Sequence, residues 1–76
     1  MATSYYYSTR VGTFLIAERS GRWHVVFDDE SLGSYATPEQ AADDLAGGHT
    51  FSAGRGIDTS TLGIPADIGE WKRGLP

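Results

Sequence analysis

The dipeptide Ser20-Gly21 constrains this chain more than any other feature. Serine followed by glycine signals a two-residue hairpin turn, because glycine reaches positive φ without steric cost. On either side lie strand-like stretches, VGTFLIAER at 11–19 and RWHVVFD at 22–28. A two-residue turn fixes their register: Glu18 opposite Trp23, Ile16 opposite Val25, Phe14 opposite Phe27. Side chains alternate across a strand, so Phe14, Ile16, Trp23, Val25 and Phe27 share one face. That face is wholly apolar, and the turn and the pattern therefore specify the same hairpin. The opposite face, with Thr13, Leu15, Ala17, His24 and Val26, is mixed.

The next turn is expected at Asp29-Glu30, flanked by Asp28 and Ser31. A two-residue turn there puts Leu32, Ser34 and Ala36 on the apolar face. Gly33 and Tyr35 fall on the mixed face, with Tyr35 opposite His24 and packed on it. The small residues on the apolar side leave room for a helix. That helix is signalled by Thr37-Pro38-Glu39-Gln40, with a hydroxyl at the N-cap, proline at the first helical position and Gln three residues after the cap. Gly47-Gly48 ends it. Helix 38–46 offers Ala41, Ala42 and Leu45 as a narrow apolar stripe. Glu39, Gln40, Asp43 and Asp44 face water. Asp43 and Asp44 lie near the negative end of the helix dipole and are expected to meet Arg55 or His49, or to stay hydrated.

Either side of this core the signals are thinner. In residues 1–10 the β-prone run Tyr5-Tyr6-Tyr7 reads as a flexible arm or an edge strand, with an exposed aromatic contact surface as the sharper reading. Residues 47–60 form a glycine-rich loop with apolar anchors at Phe51 and Ile57 and a short strand at 49–52. In 61–76, Ile64, Ile68, Trp71 and Leu75 are spaced by four, three and four. Pro65 is placed to open a short helix there, though Gly69 lies within it. Its stripe is expected to dock on the mixed face or on an edge of the sheet. The fold class is therefore α+β in one domain: an arm at 1–10, a β-β-β-α core at 11–46, and a loop and C-terminal packing segment at 47–76. Its sheet has three antiparallel strands, with one helix on one face and a tail packed by Trp71.

A chain of 76 residues supports one small core. It has no cysteine, so neither a disulfide framework nor a thiolate metal site is expected. No leader pattern or membrane-length apolar run appears, which makes the cytoplasm the expected location. Ten acidic against six basic residues give a net charge of −4. That balance disfavours binding to nucleic acid, which needs lysine and arginine to neutralise phosphates.

The chemistry-bearing residues do not assemble into a catalytic motif. His24 and Asp28 share a strand face but lie roughly 13 Å apart, too far to hold one ion, and His49 is distant in the chain. Asp28, Asp29 and Glu30 form a solvated turn and lack the spacing of a calcium loop. Gly54-Arg55-Gly56 neither follows a strand nor opens a helix, and no P-loop lysine accompanies it. There is no G-x-S-x-G elbow. A non-enzyme without cofactor or metal is expected, one that contacts a protein partner or a second copy of itself. The candidate contact residues are Tyr5, Tyr6, Tyr7, Arg19, Arg22, His24 and Tyr35. The alternative is DNA binding through the sheet, with Arg10, Arg19 and Arg22 on phosphates.

The run Gly12-Thr13-Phe14, Gly21-Arg22-Trp23-His24-Val25, Leu32-Gly33-Ser34-Tyr35 and Pro38-Glu39-Gln40-Ala41-Ala42 resembles two kinds of small domain. One is the three-stranded-sheet-plus-helix domain of ethylene-response transcription factors and of integrase arm-binding domains. The likeness is carried by "W-x-V … LG-x-Y … E-x-A-A" and covers about residues 12–46. It implies a sheet that enters the DNA major groove through basic and aromatic strand residues. This chain departs from that type in its acidic turn, acidic helix and negative charge. The other kind is a group of short uncharacterised bacterial proteins with a β-β-β-α core, which the whole length resembles, including Gly63-Ile64-Pro65 and Trp71.

Overall fold

The computed structural model describes residues 4–49 and 58–74. The apolar alternation around Ser20-Gly21 produces the expected hairpin. Strand β2 (Gly12–Arg19) pairs with β3 (Arg22–Phe27), with Ile16 opposite Val25 and Glu18 opposite Trp23. Ser20 and Gly21 both have positive φ, 52° and 78°, as the turn that matches strand twist requires. β4 (Glu30–Tyr35) continues the meander on one side.

On the other side the sheet is larger than expected. Residues Ser4–Thr9 form a full strand, β1, antiparallel to β2, and Lys72–Arg73 form a short β5 beyond it. The sheet therefore has five strands in the order β4-β3-β2-β1-β5. Tyr5, Tyr6 and Tyr7 lie in a strand hydrogen-bonded on both sides, which corrects both the arm and the edge-strand expectation. The β1–β2 connection turns at Arg10-Val11, and Gly12 absorbs the irregular backbone with φ 137°. A Cβ on Gly12 would sit 2.9 Å from the Phe27 ring, so glycine also allows that ring to approach.

The third strand departs from expectation in a way that re-sorts its side chains. The turn is Asp28-Asp29, one residue earlier than read, with φ 51° and 62°. Aspartate tolerates the left-handed region because its short side chain bonds locally; glutamate at Glu30 is poorly suited to it. The register then shifts at a bulge between Val25 and Val26, where Leu32 is the extra residue on β4. Past the bulge Val25 faces Gly33, His24 faces Ser34 and Trp23 faces Tyr35. Leu32 is buried as expected, but Ser34 and Ala36 are exposed. Tyr35 lies on the apolar side, opposite Trp23, and does not pack on His24. Its ring folds back over Gly33, where a Cβ would come within 2.9 Å of it.

Helix α1 (Pro38–Gly47) starts where the cap predicts, with the Gln40 N–H donating to Thr37 Oγ1 at 3.2 Å. It ends at left-handed Gly48, whose N–H donates to the Leu45 carbonyl. Ala41, Ala42 and Leu45 are fully buried against Phe14, Ile16, Val25, Phe27 and Leu32. Trp23 is only half-buried, at the rim of this core beside Tyr5. The Asp44 carboxylate takes a hydrogen bond from Tyr35.

The C-terminal segment covers the same face as the helix, not the mixed face. Ile64 and Trp71 are buried in the core, and Leu62 and Ile68 pack on it. Trp71 lies 5.8 Å from Tyr7, ring to ring, and its indole N–H donates to the Pro65 carbonyl at 2.9 Å. In place of the expected helix there are single 3-10 turns, Thr59–Thr61 and Ile68–Glu70, capped by Asp58 and Asp67. The expected docking on a sheet edge is met by β5 alone. Thr59 ties the tail to the helix, its hydroxyl donating to the Leu45 carbonyl at 2.6 Å. The expected anchors Phe51 and Ile57, the strand at 49–52, Arg55 and Leu75 lie outside the described residues.

Candidate interaction surface

Helix and tail share one face of the sheet, and the other face has no layer of described residues over it. The registers place its side chains in rows. The central row runs across all five strands as Lys72, Tyr6, Leu15, Val26 and Ser31. Along the strands, about 7 Å further on, comes Ala17, His24 and Ser34, and then the pair Arg19 and Arg22. In the other direction lie Ser8 and Thr13, whose hydroxyls are 3.1 Å apart. Tyr6, Leu15, Ala17, His24 and Val26 are each only partly exposed.

The seven candidate contact residues divide between the two faces. Tyr6, Arg19, Arg22 and His24 meet on the open face. Tyr5, Tyr7 and Tyr35 do not; they pack on the core from the covered side. Tyr5 stacks at a tilt on Trp23 at 5.9 Å, and the Arg73 guanidinium lies 5.9 Å from its ring centre on the other flank. Tyr35 is pushed up to about 12, first by burial and then by its hydrogen bond to, and the charge of, Asp44. Three consecutive tyrosines thus serve two purposes, because a strand sends the middle one to the opposite side.

Arg22 is held in place. Its Nε donates to Ser34 Oγ at 2.8 Å and its Nη2 to the Ser34 carbonyl at 3.0 Å. Arg10, by contrast, turns away from the sheet and donates to the Thr61 carbonyl. His24 has Ala17 and Ser34 as cross-strand neighbours. Among the described residues no three of His, Asp and Glu converge as metal ligands. A pocket of about 200 Å³, lined by Tyr7, Ser8, Glu70 and Lys72, lies beside β5. It is smaller than the several hundred Å³ usual for small-molecule sites.

Charge separates strongly between the faces. All ten acidic residues fall elsewhere than on an open-face strand position. Glu18 faces Trp23, on the covered side. Asp28, Asp29 and Glu30 sit at the β3–β4 turn, at the end opposite to Arg19 and Arg22. Glu39, Asp43 and Asp44 are on α1, and Asp58, Asp67 and Glu70 are in the tail. The open strands carry Arg19, Arg22, Lys72 and His24.

Sequence reasoning placed Leu15, Ala17 and Val26 on this face but did not count them as contact residues. Their signal was present, in the match of two apolar residues across the hairpin. Lys72 was missed because a two-residue strand has no periodicity to read. The chain matches no protein-family model, no curated protein and no solved structure to which it was compared.

Proposed function

We propose that this domain is a non-enzymatic interaction module that contacts a protein through the open face of its sheet. One observation carries the reading: a five-stranded sheet with one side packed and a half-shielded apolar row on the other. Antiparallel sheets that face water on one side normally make that side polar. Here its centre is Tyr6, Leu15 and Val26, with arginines to one side. The β4 edge is a poorer docking strand, because its bulge interrupts the ladder that an added strand would extend.

The test is site-directed photo-crosslinking in cells, with benzoylphenylalanine at Tyr6 and, separately, at exposed Gln40 on the helix. Adducts from position 6 alone, weakened by Val26→Ser, are the expected result. Equal crosslinking from both positions defeats the reading.

A second reading, DNA binding through the sheet, is favoured by the Arg19–Arg22 cross-strand pair on the face that the carboxylates avoid. It requires duplex affinity that falls by about one power of salt concentration per phosphate contact and drops further in Arg19→Ala. Negligible affinity for random and genomic duplexes in dilute buffer removes it.

A further inference from the structure

We infer that the open face receives an acidic protein segment with an apolar centre, laid over Leu15 and Val26 with its carboxylates at Arg19 and Arg22. This rests on the reading of that face as an interaction surface and specifies its partner. The first argument is charge complementarity: the open strand positions hold Arg19, Arg22, Lys72 and His24 and no acid, in a chain of net charge −4. Among the described residues the acids all lie off this face and most of the cations lie on it, which favours docking of an acidic partner here.

The second argument is the state of Arg22. Its bonds to Ser34 use Nε and one N–H of Nη2. Both hydrogens of Nη1 and the second of Nη2 remain, the pair of nitrogens that a carboxylate takes end-on. The side chain is already held by β4, so less rotamer freedom is lost when a carboxylate arrives.

The chemistry of the row weighs against the main competitors. A nucleic-acid strand wants successive aromatic platforms and a line of cations. Here the centre is aliphatic, Tyr6 is its one aromatic ring, and the cations lie at two separated places. A second copy docking face to face would set cations against cations, which opposes a symmetric dimer.

The probes are the synthetic peptide EEGLWLGEE, its counterpart KKGLWLGKK and an oligothymidylate, each titrated into the full chain and followed by amide chemical shifts. The glutamate peptide should move the amides of Tyr6, Leu15, Ala17, His24 and Val26. Its affinity should fall about tenfold in Arg19→Glu, a loss within the range for reversing a charge beside an acidic partner. Arg19 is exposed, and the free variant's own spectrum reports its fold; Lys72→Glu, also exposed, should lower affinity by a smaller factor. Equal binding of the lysine peptide at the same residues overturns the acidic partner while leaving the face as an interaction surface. Tighter binding of the oligothymidylate, or dilution-dependent shifts of the same amides without any probe, overturns it in favour of nucleic acid or self-association. Silence at these amides with all probes overturns it outright, and silence together with no crosslinking from position 6 also removes the broader reading.

Discussion

The two faces of one sheet differ in almost every physical property, although every strand contributes to both. The covered face holds Phe14, Ile16, Val25, Phe27 and Leu32, closed by Ala41, Ala42, Leu45, Ile64 and Trp71. The open face holds Tyr6, Leu15, Ala17 and Val26 among serines, a threonine and cations. The first joins large rings and small helix residues in one cluster: Phe14 and Phe27 stack 4.4 Å apart in the same core as Ala41 and Ala42. The second has apolar side chains of similar type with no layer of described residues above them. Apolarity alone therefore does not decide which side is filled. What decides is whether the following segment supplies a surface of matching size.

Breaking this contrast most severely, Phe14→Ala should destabilise by about 3–5 kcal/mol, because it leaves a cavity in a closed layer. Leu15→Thr, the adjacent residue on the other face, should cost under about 1 kcal/mol. Denaturant midpoints measured side by side test the pair, and equal losses would mean that the open face is packed in solution.

Trp23→Ala probes the rim between the faces. Trp23 is half-buried, so its loss should fall below the 3–5 kcal/mol of a fully buried aromatic, at about 2 kcal/mol. A thermal melt of this variant matching that of Phe14→Ala would place the tryptophan inside the core.

Asp29→Gly sharpens the comparison from the turn. Glycine adopts φ 62° without the cost an aspartate bears, and a gain of about 0.5–1 kcal/mol is expected. A loss on urea denaturation would mean that the Asp29 side chain holds the turn through local bonds.

Tyr35 gives the smallest effect and a pH signature. Its folded value lies near 12 against 10 in the unfolded chain, so the neutral phenol is favoured by folding. The contribution is complete below pH 10 and is lost as pH rises from 10 towards 12. Its half-exposed position limits the size. Tyr35→Phe should therefore flatten the alkaline fall in stability between about pH 10 and 12. An unchanged slope would separate Tyr35 from Asp44.

Legibility in the sequence followed the length of the signal. The β2–β3 hairpin and helix α1 were readable because turn, period and caps each specify them independently, from Ser20-Gly21 to Thr37-Pro38 and Gly48. The outer half of β4 was misassigned because one bulge at Leu32 exchanges the sides of Ser34 and Tyr35, and a bulge leaves no mark in a pattern of alternation. The tyrosine run was half-read for the opposite reason: three like residues have no period, and only the pairing of Tyr6 with Leu15 tells them apart. The open face was legible as mixed, but its charge segregation needed the fifth strand to bring in Lys72.

The order of strands carries a consequence for how the chain acquires its shape. From β1 to β4 every neighbour in space is the neighbour in sequence, joined by turns of two residues. Such contacts close early, since short loops lose little entropy. The last strand is different in kind: Gly74 donates to the Ser4 carbonyl at 2.8 Å, and the two residues lie seventy positions apart. With so long a loop to close, that junction should form after the meander and open before it. Amide exchange at Lys72, Arg73 and Gly74 should outpace that of the hairpin interior, so the molecule frays from its β1–β5 side while the β2–β3 ladder stays shut.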